Sequence, residues 1–377
     1  MQIELLIFSF VIVAYGTFTT LAIIGLGKLK RIPESLFFNT PGSFISIIIS
    51  ARNEEKNIEE CLSQIEKQNF PKENFELIIV DDASNDATFQ LAKQFLEKSS
   101  LNFQIIQQKE HQGKKKNIAN AIELSKGDII ITSDADVSYR NQNWLLTISN
   151  YFRIHNPNLL IMPVDFVTQR GILPAFQIIE NIALTGITAG YTGTNKPFMC
   201  NGANLAFKKT VYHNINGYES HMHISSGEDV FLLEGIKKLP ESSIHYFLSR
   251  ELIVKTKPQT SIKDFFNQRI RWAYKAKYNP NGLNMFAGII IVLANFIFMA
   301  LFVAILKKSV FIPYLSIFAV AKLLFDFLLL FLASVFLGRV KYIWWLIPFE
   351  CIYWLYALTI GTASLFLKPY WKGKKIS

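Results

Sequence analysis

Two patterns of hydrophobic residues alternate along this chain of 377 residues. In the first pattern, long segments are apolar almost throughout, and four of them lie at residues 5–27, 284–306, 310–337 and 342–367. In the second pattern, short apolar runs are separated by mixed polar stretches. About 20 consecutive apolar residues span a bilayer as a helix, so the first pattern predicts membrane helices near both ends of the chain.

The region between the apolar ends predicts an α/β fold. Short runs rich in β-branched residues predict buried strands at Phe44–Ser50, Phe75–Val80, Phe103–Gln107 and Asp128–Thr132. Apolar residues at helical spacing predict helices between these strands, at 55–68, 86–98 and 114–125. Alternation of this kind gives a Rossmann-like, mostly parallel sheet, whose ligands bind beyond the carboxyl ends of the strands.

After residue 140 the pattern is less regular. Residues 185–202 are rich in Gly and Thr and predict loops, Ala203–Phe207 and Leu252–Thr256 predict strands, and 261–278 predicts a helix. Pro and Gly in residues 32–43 predict a linker. The predicted organisation is an N-terminal transmembrane anchor at 1–30, a cytoplasmic α/β domain at 40–260, an amphipathic interface helix at 261–282, transmembrane helices at 283–367 and a basic tail at 368–377.

The charge pattern adds an orientation. The net charge is +10, and Lys28, Lys30 and Arg31 follow the segment at 5–27 instead of preceding it, which favours an uncleaved anchor over a signal peptide. The positive-inside rule then puts the N-terminus outside and the α/β domain in the cytoplasm, in a multi-pass protein of the cell inner membrane that contacts the lipid bilayer. No nucleic-acid recognition motif accompanies the charge, so we expect no nucleic-acid partner.

The C-terminal end contains a conflict. Three crossings after a cytoplasmic domain would leave the C-terminus outside, whereas the four lysines after residue 367 favour the inside. The segment at 310–337 contains Pro313, Lys322 and Asp326. It is therefore either re-entrant or interfacial, or a helix whose ionisable pair, spaced i and i+4, satisfies itself.

Acidic clusters follow three of the predicted strands, at Arg52–Glu55, Asp81–Asp86 and Ser133–Asp136. Asp134 and Asp136 lie two residues apart just beyond a buried strand, so both carboxylates can approach one ion. Carboxylate oxygens suit Mg²⁺ or Mn²⁺, and such a metal can neutralise a diphosphate. The alternative is an Asp-rich turn without a metal.

Two further polar segments each allow two interpretations. Asp82 can read a nucleotide base, while its neighbours Ser84 or Asp86 cap a helix. Lys114, in the basic turn Gly113–Lys116, can meet phosphate beside backbone N–H groups, or it can belong to a solvated run of charge.

The downstream motifs also carry candidate chemistry. Asp229 precedes an apolar run and can act as the general base that takes a hydroxyl proton, or it can be an N-terminal cap. Gln268, Arg271 and Trp272 share one face of a predicted helix. There they can hold a diphosphate oxygen and offer a flat aromatic platform, or they can form a membrane-surface helix with an interfacial tryptophan.

Taken in order, these motifs resemble those of the inverting family 2 glycosyltransferases of the GT-A fold. The matching stretches are Ser46–Glu55, Val80–Asp86, Gly113–Lys114, Ser133–Asp136, Cys200–Leu205, Gly227–Asp229 and Gln268–Trp272. The full pattern is similar to that of the membrane synthases of cellulose, hyaluronan and poly-N-acetylglucosamine and of ceramide glucosyltransferase. The resemblance implies a GT-A fold and a metal-dependent enzyme that transfers a hexosyl group from a nucleotide-diphosphate sugar, with UDP as the expected nucleotide.

The resemblance also implies roles for individual residues. Asp229 and Glu228 would be catalytic, and Asp134 and Asp136 would hold Mg²⁺ or Mn²⁺. The nucleotide-sugar donor would be bound by Ala51, Asn53, Glu55, Asp81, Asp82, Lys114, Asp134, Gln268, Arg271 and Trp272. The acceptor would be bound by Asn201, Gly202, Asn204 and Trp272.

Two departures from the synthases affect the expected product. The chain has few membrane segments for a polymer channel, and its basic turn lacks small residues after Gly113-Lys114. We therefore expect transfer of one or a few sugars to a lipid-linked or membrane-associated acceptor, with processive synthesis of a β-linked polysaccharide as the alternative. A non-catalytic scaffold and a nucleotidyltransferase on a similar sheet are rival hypotheses from other classes.

Overall fold

The computed structural model describes residues 2–30, 38, 40, 42–219, 222, 227–276, 281–367, 370–371 and 374–375. Most of the predicted linker at 32–43 and of the predicted basic tail at 368–377, together with residues 277–278, therefore lies outside the described residues. The chain divides into two compact units. We call them the sheet unit (Leu29–Val167, Met199–Lys257 and Trp371–Ser377) and the helical unit (Met1–Lys28, Thr168–Phe198 and Pro258–Tyr370).

The sheet unit contains most of the strands. Numbered along the chain, they are β1 Ile45–Ala51, β2 Phe75–Asp81, β3 Phe103–Gln107, β4 Ile129–Ser133, β5 Ser138–Tyr139, β6 Leu159–Ile161, β7 Val164–Phe166, β8 Asn204–Lys208, β9 Ile244–Tyr246 and β10 Val254–Thr256. Its helices are α2 Ile58–Glu66, α3 Thr88–Leu96, α4 Lys114–Leu124, α5 Trp144–His155, α7 Lys209–Asn214 and α8 Glu228–Lys237. Short 3₁₀ helices cover Lys72–Asn74 and Arg250–Leu252, and a strand pair near the C-terminus, β11 Tyr370–Trp371 and β12 Lys374–Lys375, completes the strands described.

Seven strands form one mixed sheet in the order β3-β2-β1-β4-β8-β6-β9. The first four are mutually parallel, and β8 runs antiparallel to both β4 and β6. These strands are apolar because helices cover the sheet; Ile47, Ile49 and Leu77 are fully buried against residues of α2 and α5. The predicted strands and helices up to residue 133 are thus confirmed, and so is the mostly parallel α/β sheet.

A smaller sheet of three strands, in the order β5-β10-β7, lies beside this arrangement in the sheet unit. The pairing of β10 with β5 aligns Val254 with Tyr139 and Lys255 with Ser138. It brings Thr256, at the end of β10, next to the segment that follows β4. The predicted strand at Leu252–Thr256 is confirmed in its second half, since Arg250–Leu252 is a 3₁₀ turn.

The helical unit consists of long apolar helices and one amphipathic helix. They are α1 Gln2–Gly27, α6 Ile172–Gly193, α9 Ile262–Ala276, α10 Gly282–Leu306, α11 Ile312–Leu337 and α12 Leu346–Phe366, with a 3₁₀ segment at Val340–Trp345. Within the described part of the chain, five segments are long and apolar enough to cross a membrane: Ile3–Gly27, Ile172–Gly193, Gly282–Leu306, Ile312–Leu337 and Val340–Phe366. Four of them were predicted from the sequence.

The fifth, α6, corrects the sequence analysis. Residues 185–193 were expected to form loops because they are rich in Gly and Thr, but they continue the helix that begins at Ile172. The sheet strands before and after α6 pair with each other, since β8 lies between β4 and β6. The chain therefore returns to the same sheet after α6.

The structure of α11 bears on the two interpretations of residues 310–337, a re-entrant or interfacial segment and a helix with a bonded ionisable pair. It runs without a break, and Pro313 lies in its first turn, where a missing N–H removes no hydrogen bond. Lys322 Nζ lies 2.7 Å from Asp326 Oδ2, one helical turn away. The ionisable pair therefore satisfies itself inside the helix, as the second interpretation expected.

Close backbone packing between α1 and α6 explains the glycines that misled the loop prediction. A Cβ atom on Gly190 would lie 2.2 Å from the carbonyl oxygen of Ala22, and one on Gly193 would lie 2.0 Å from that of Gly25. Real Cβ atoms do not approach a backbone oxygen so closely. Glycine at these positions lets the two helices meet backbone to backbone, as small residues do between apolar helices.

We expect Gly190→Ala to destabilise the helical unit by about 1–3 kcal/mol, because the added methyl group must push α1 and α6 apart. The melting temperature of the purified full chain in detergent measures the effect. Gly361→Ala is the matched control, because among the described residues no heavy atom lies within 4 Å of a Cβ at Gly361. An unchanged melting temperature for Gly190→Ala would contradict the close crossing.

Candidate active site

The carboxyl ends of β1, β2 and β4 lie side by side at one edge of the sheet. Their parallel register pairs Ala51 with Asp81 and Ile49 with Ser133. The segments that follow these strands therefore begin at the same edge, as the sequence predicted. Ala51 itself is buried in β1, and its carbonyl oxygen accepts a hydrogen bond from the Asp82 backbone N–H at 2.8 Å.

The loops after β1 and β2 bond to each other. The Asn53 Oδ1 atom accepts the Asn85 N–H at 2.9 Å, and the Ser84 hydroxyl oxygen accepts the Asn53 N–H at 2.9 Å. The Glu55 carboxylate accepts the Ala87 N–H at 3.2 Å. Asn53 adopts a φ of +52°, a left-handed conformation that asparagine tolerates. Asn53 and Glu55 thus fix the shape of this edge.

Asp81 and Asp86 occupy opposite ends of the second loop. Burial raises the pKa of Asp81, although the Ser84 hydroxyl and N–H donate to its carboxylate. Partial burial would raise the pKa of Asp86 too, but hydrogen bonds from Thr88 and Glu55 outweigh it and lower that pKa. Asp86 accepts the N–H of Thr88, the first residue of α3, so the helix-start interpretation applies to Asp86.

Asp82 organises the loop before α4. Its carboxylate is 1% exposed and accepts the backbone N–H of Gln112 at 2.8 Å and that of Gly113 at 3.2 Å. The imidazole Nδ1 of His111 lies 2.6 Å from the same carboxylate. Gly113 has a φ of +90°, a region that favours glycine. Both oxygens of Asp82 thus hold the turn that places Lys114, and His111 is a participant that sequence reasoning missed.

Lys114 connects two acidic residues from distant parts of the chain. Its Nζ atom lies 2.6 Å from Asp134 Oδ1 and 3.0 Å from Glu228 Oε1. Burial lowers the pKa of Lys114, but the charges of Asp134 and Glu228 outweigh burial and raise that pKa above its ordinary value. The lysine is therefore a fixed cation among carboxylates, not part of a solvated run.

Asp229 lies next to this cation at the start of α8. Its Oδ2 atom accepts the Gly202 N–H at 3.2 Å, and its Oδ1 atom accepts the N–H of Val230 at 2.9 Å. The first turn of a helix is a favourable place for an acidic side chain. A Cβ atom on Gly202 would lie 3.4 Å from Glu228 Oε1 and 3.7 Å from Lys114 Nζ. The absence of a side chain at Gly202 leaves room beside the acidic pair.

The two aspartates after β4 differ in their surroundings. Asp134 has a side chain that is 36% exposed and bonds to Lys114. The Asp136 Oδ2 atom accepts the Thr256 hydroxyl at 3.1 Å, so β10 orients it. Among the described residues no group of three or more His, Cys, Asp or Glu side chains could hold a metal. The two carboxylates offer hard oxygen ligands, which fit a divalent ion whose other ligands would come from a diphosphate and water. The Lys114 ammonium beside Asp134 shows that this position accommodates a positive charge.

The two asparagines predicted to bind the acceptor, Asn201 and Asn204, differ in exposure. Asn201 is exposed, and its side-chain oxygen accepts the Ala203 N–H at 3.0 Å. Asn204 is fully buried and donates to the carbonyl oxygens of Pro163 and Leu252 at 2.9 and 2.8 Å. Its Oδ1 atom also accepts the Trp144 indole N–H. The geometry therefore corrects the expectation for Asn204, which ties strands together instead of facing an acceptor.

The remaining predicted residues belong to the helical unit. Gln268, Arg271 and Trp272 lie on α9, as predicted, and Trp272 is 36% exposed. Arg269, which the sequence analysis did not single out, is buried and bonds to Glu180 of α6 at 2.7 Å through Nε. Its guanidinium lies 4.2 Å from the Trp272 ring centroid. The ion pair and the stacking fix the orientation of α9 within the helical unit.

Comparison with known proteins agrees with this fold. The chain resembles the structure of the mannosyltransferase PcManGT from Pyrobaculum calidifontis, solved in complex with GDP-Man and Mn²⁺, with a TM-score of 0.57 and 16% identity. The match covers 95% of this chain and 99% of that chain. At this identity the likeness concerns the fold alone, which is the GT-A-like α/β fold with apolar helices.

Two sequence relatives match only in part. One is the poly(ribitol-phosphate) beta-N-acetylglucosaminyltransferase TarS of Staphylococcus aureus, 32% identical over 34% of this chain and 22% of the relative. Another, from Methanococcus voltae, is a dolichyl N-acetyl-alpha-D-glucosaminyl phosphate 3-beta-D-2,3-diacetamido-2,3-dideoxy-beta-D-glucuronosyltransferase, 37% identical over 30% of this chain and 35% of the relative. The match thus spans about a fifth of the length of TarS and about a third of the length of the Methanococcus voltae relative.

Residues 46–215 match the family described as Glycosyl transferase family 2. This range includes Asp82, Lys114, Asp134 and Asp136, and it ends before Glu228 and Asp229. Together with the GT-A-like fold, the match supports a family 2 glycosyltransferase domain in this chain.

Proposed function

We propose that this chain is an inverting, metal-dependent glycosyltransferase. It would move a sugar from a nucleotide-diphosphate sugar, with UDP as the nucleotide, to a lipid-linked or membrane-associated acceptor. The observation that carries the proposal is the cluster of Lys114, Asp134, Glu228 and Asp229, with Gly202 in contact distance of it. Such a cluster, at the carboxyl edge of a parallel sheet, combines a candidate base with charge for a diphosphate.

Asp229 would act as the general base. Its carboxylate takes the proton of the acceptor hydroxyl while that oxygen attacks the anomeric carbon from the face opposite the departing diphosphate, so the configuration inverts. The N–H groups of Gly202 and Val230 keep the carboxylate oriented. Glu228 holds Lys114 beside it.

The donor would be bound at the neighbouring edge. Asp134 and Asp136 would hold Mg²⁺ or Mn²⁺, and the bound ion supplies Lewis-acid neutralisation of the diphosphate. Lys114 can then transfer its hydrogen bond from Asp134 to a phosphate oxygen, keeping a charge-assisted contact. The loops fixed by Asn53, Glu55, Asp81 and Asp82 would shape the nucleotide side of the site.

Asn201 and Gly202 would contact the acceptor, and Gln268, Arg271 and Trp272 of α9 keep the donor and acceptor roles that the family resemblance implies for them. An exposed indole offers a flat apolar surface to a sugar ring, and Arg271 a charge to a diphosphate oxygen. The apolar helices support a membrane location, with the sheet unit in the cytoplasm at the inner membrane. The dolichyl phosphate-linked acceptor in the name of the Methanococcus voltae relative adds support for a lipid-linked acceptor.

The decisive experiment offers membranes containing the full chain a panel of radiolabelled UDP-, GDP- and dTDP-sugars with Mn²⁺. We expect label in the organic-solvent extract from one UDP-sugar and a β-linked product from an α-linked donor. Label in a long water-soluble polymer would instead support the processive alternative. No transfer from any donor, with nucleotide binding intact, would contradict the proposal.

A further inference from the structure

A cavity of about 120 Å³ lies inside the helical unit, lined by residues from α1, α6, α10, α11 and α12. Most of its lining side chains are apolar, and polar groups are contributed by Tyr15, Asn295, Lys322, Asp326 and Glu350 among others. Water occupies about 30 Å³ per molecule in the liquid, so the space suits a small headgroup or a few waters. It plays no part in the site proposed above.

Four charged residues line this cavity: Glu180 pairs with Arg269 of α9, and Lys322, Asp326 and Glu350 bond to one another. Lys322 Nζ lies 2.7 Å from Asp326 Oδ2 and also bonds to the Glu350 carboxylate. The Tyr15 hydroxyl donates to Asp326. One ammonium thus faces two carboxyl groups, and among the described residues lining the cavity no other lysine or arginine is present. The cavity offers no spare positive charge to a phosphate.

Asn295 differs from these groups. It is 2% exposed in the apolar helix α10, and its Nδ2 atom donates to the Ile291 carbonyl oxygen at 2.8 Å. Its Oδ1 atom is buried and has no donor among the described residues. A buried acceptor without a donor is unfavourable, so the position needs a hydrogen-bond donor from a bound molecule.

We propose that the cavity binds an uncharged lipid alcohol of the diacylglycerol type, whose free hydroxyl donates to Asn295 Oδ1. The apolar lining fits the carbon chain next to the hydroxyl, and the acceptor-rich polar groups fit a donor. Carboxyl groups outnumber ammonium groups in the cavity, so it excludes the negatively charged phosphate of a phosphorylated lipid with the same chains. The site rests on the cavity alone and does not depend on sugar transfer.

The test uses the full chain in phosphatidylcholine nanodiscs, titrated with 1,2-dioleoylglycerol or with dioleoyl phosphatidic acid. We expect dioleoylglycerol to raise the melting temperature and phosphatidic acid to leave it unchanged, because only a ligand of the folded state stabilises it. A diacylglycerol with a photoactivatable chain should label peptides of α10 or α11. Equal effects of the two lipids, or no effect of dioleoylglycerol because the cavity holds water alone, would overturn the proposal.

Asn295→Leu isolates the hydrogen bond. Leucine has a similar volume and removes the orphan acceptor, so the lipid-free protein should melt no lower than wild type, while its affinity for dioleoylglycerol falls about tenfold. Asn284→Leu is the control on the same helix, because Asn284 donates to the Phe198 carbonyl oxygen and does not line the cavity. Ala183→Leu, which fills the cavity from α6, should reduce photolabelling even if Asn295→Leu folds poorly. Unchanged affinity in Asn295→Leu, or an equal loss in Asn284→Leu, would refute the assignment.

Discussion

Asp229→Asn is expected to lower kcat for sugar transfer by about 10²–10⁴-fold, while KM for the donor changes little. The amide keeps the size of the side chain and can still accept the Gly202 N–H, so the local structure should persist. It cannot take the hydroxyl proton, and general-base catalysis contributes a factor of that order. Initial rates with the active UDP-sugar, measured across donor concentrations, separate kcat from KM.

Glu234→Gln is the matched control for this variant. Glu234 lies on the same helix, α8, and its carboxylate pairs with Lys237 at 2.9 Å. Loss of that half-buried pair within one helix leaves the candidate site untouched, so the rate should remain within about twofold of wild type. Full activity in Asp229→Asn, or an equal loss in the control, would remove Asp229 from the role of base.

The strands of the central sheet were predictable because their residues are apolar on both faces. Ile47 and Ile48 of β1 point to opposite faces of the sheet, yet both are fully buried because the sheet is packed inside the unit. A continuous β-branched run of this kind predicts a covered strand without knowledge of its neighbours. The acidic segments that follow such strands were then expected at one edge from topology alone, and the register of β1, β2 and β4 confirms this.

The helix α6 was not predictable from local composition. Gly and Thr favour loops when they are exposed, since glycine in a helix costs backbone entropy. In the structure, Gly190 and Gly193 meet the backbone of α1, and the close packing offsets that cost. The conformation of α6 thus depends on residues more than 160 positions away in the sequence. The hydrogen bond from the Tyr191 hydroxyl to the Phe18 carbonyl oxygen is one example.

The roles of two polar residues also depended on distant partners. Asp82 stays a predicted nucleotide-binding residue, and the structure adds that its carboxylate bonds to the turn at 112–113 and lies beside His111. Asn204 was expected near the acceptor, but it bridges buried backbone carbonyl groups. Sequence spacing identifies which residues lie near a strand end, whereas the direction of each side chain is set by contacts that spacing does not contain.

Lys114 shows what the fold adds to the acidic motifs. The sequence left it either on phosphate or in solvent, and the fold gives it two carboxylate partners from β4 and α8. In this arrangement the Lys114 ammonium neutralises part of the negative charge of Asp134 and Glu228. In the proposed complex, a metal ion would neutralise Asp134 and the diphosphate. Lys114 thus holds Asp134 and Glu228 together, and under the proposed function donor binding should include an exchange of its partners.

Asp134→Asn is expected to lower the rate of sugar transfer by about 100-fold or more and to raise the Mn²⁺ concentration that gives half-maximal rate. A metal ion contributes several kcal/mol of charge stabilisation, and about 3 kcal/mol corresponds to about 100-fold in rate. The amide keeps one oxygen but removes the charge that attracts the ion, and it also releases Lys114 from its bond at 2.6 Å. Rates measured over a Mn²⁺ titration, with calorimetric UDP binding in the presence and absence of Mn²⁺, report both effects.

Asp128→Asn provides the matched control, since Asp128 lies exposed at the opposite end of the strand that leads to Asp134. It should show the wild-type rate and the wild-type Mn²⁺ requirement, because its charge is far from the carboxyl edge of the sheet. If Asp134→Asn kept the wild-type Mn²⁺ dependence, Asp134 would not be a metal ligand, and its carboxylate would serve to hold Lys114. The other outcome is a shifted Mn²⁺ dependence of the rate with unchanged UDP binding in the absence of Mn²⁺. The lower rate would then come from weaker metal binding and not from a change in the loop that Asp82 fixes.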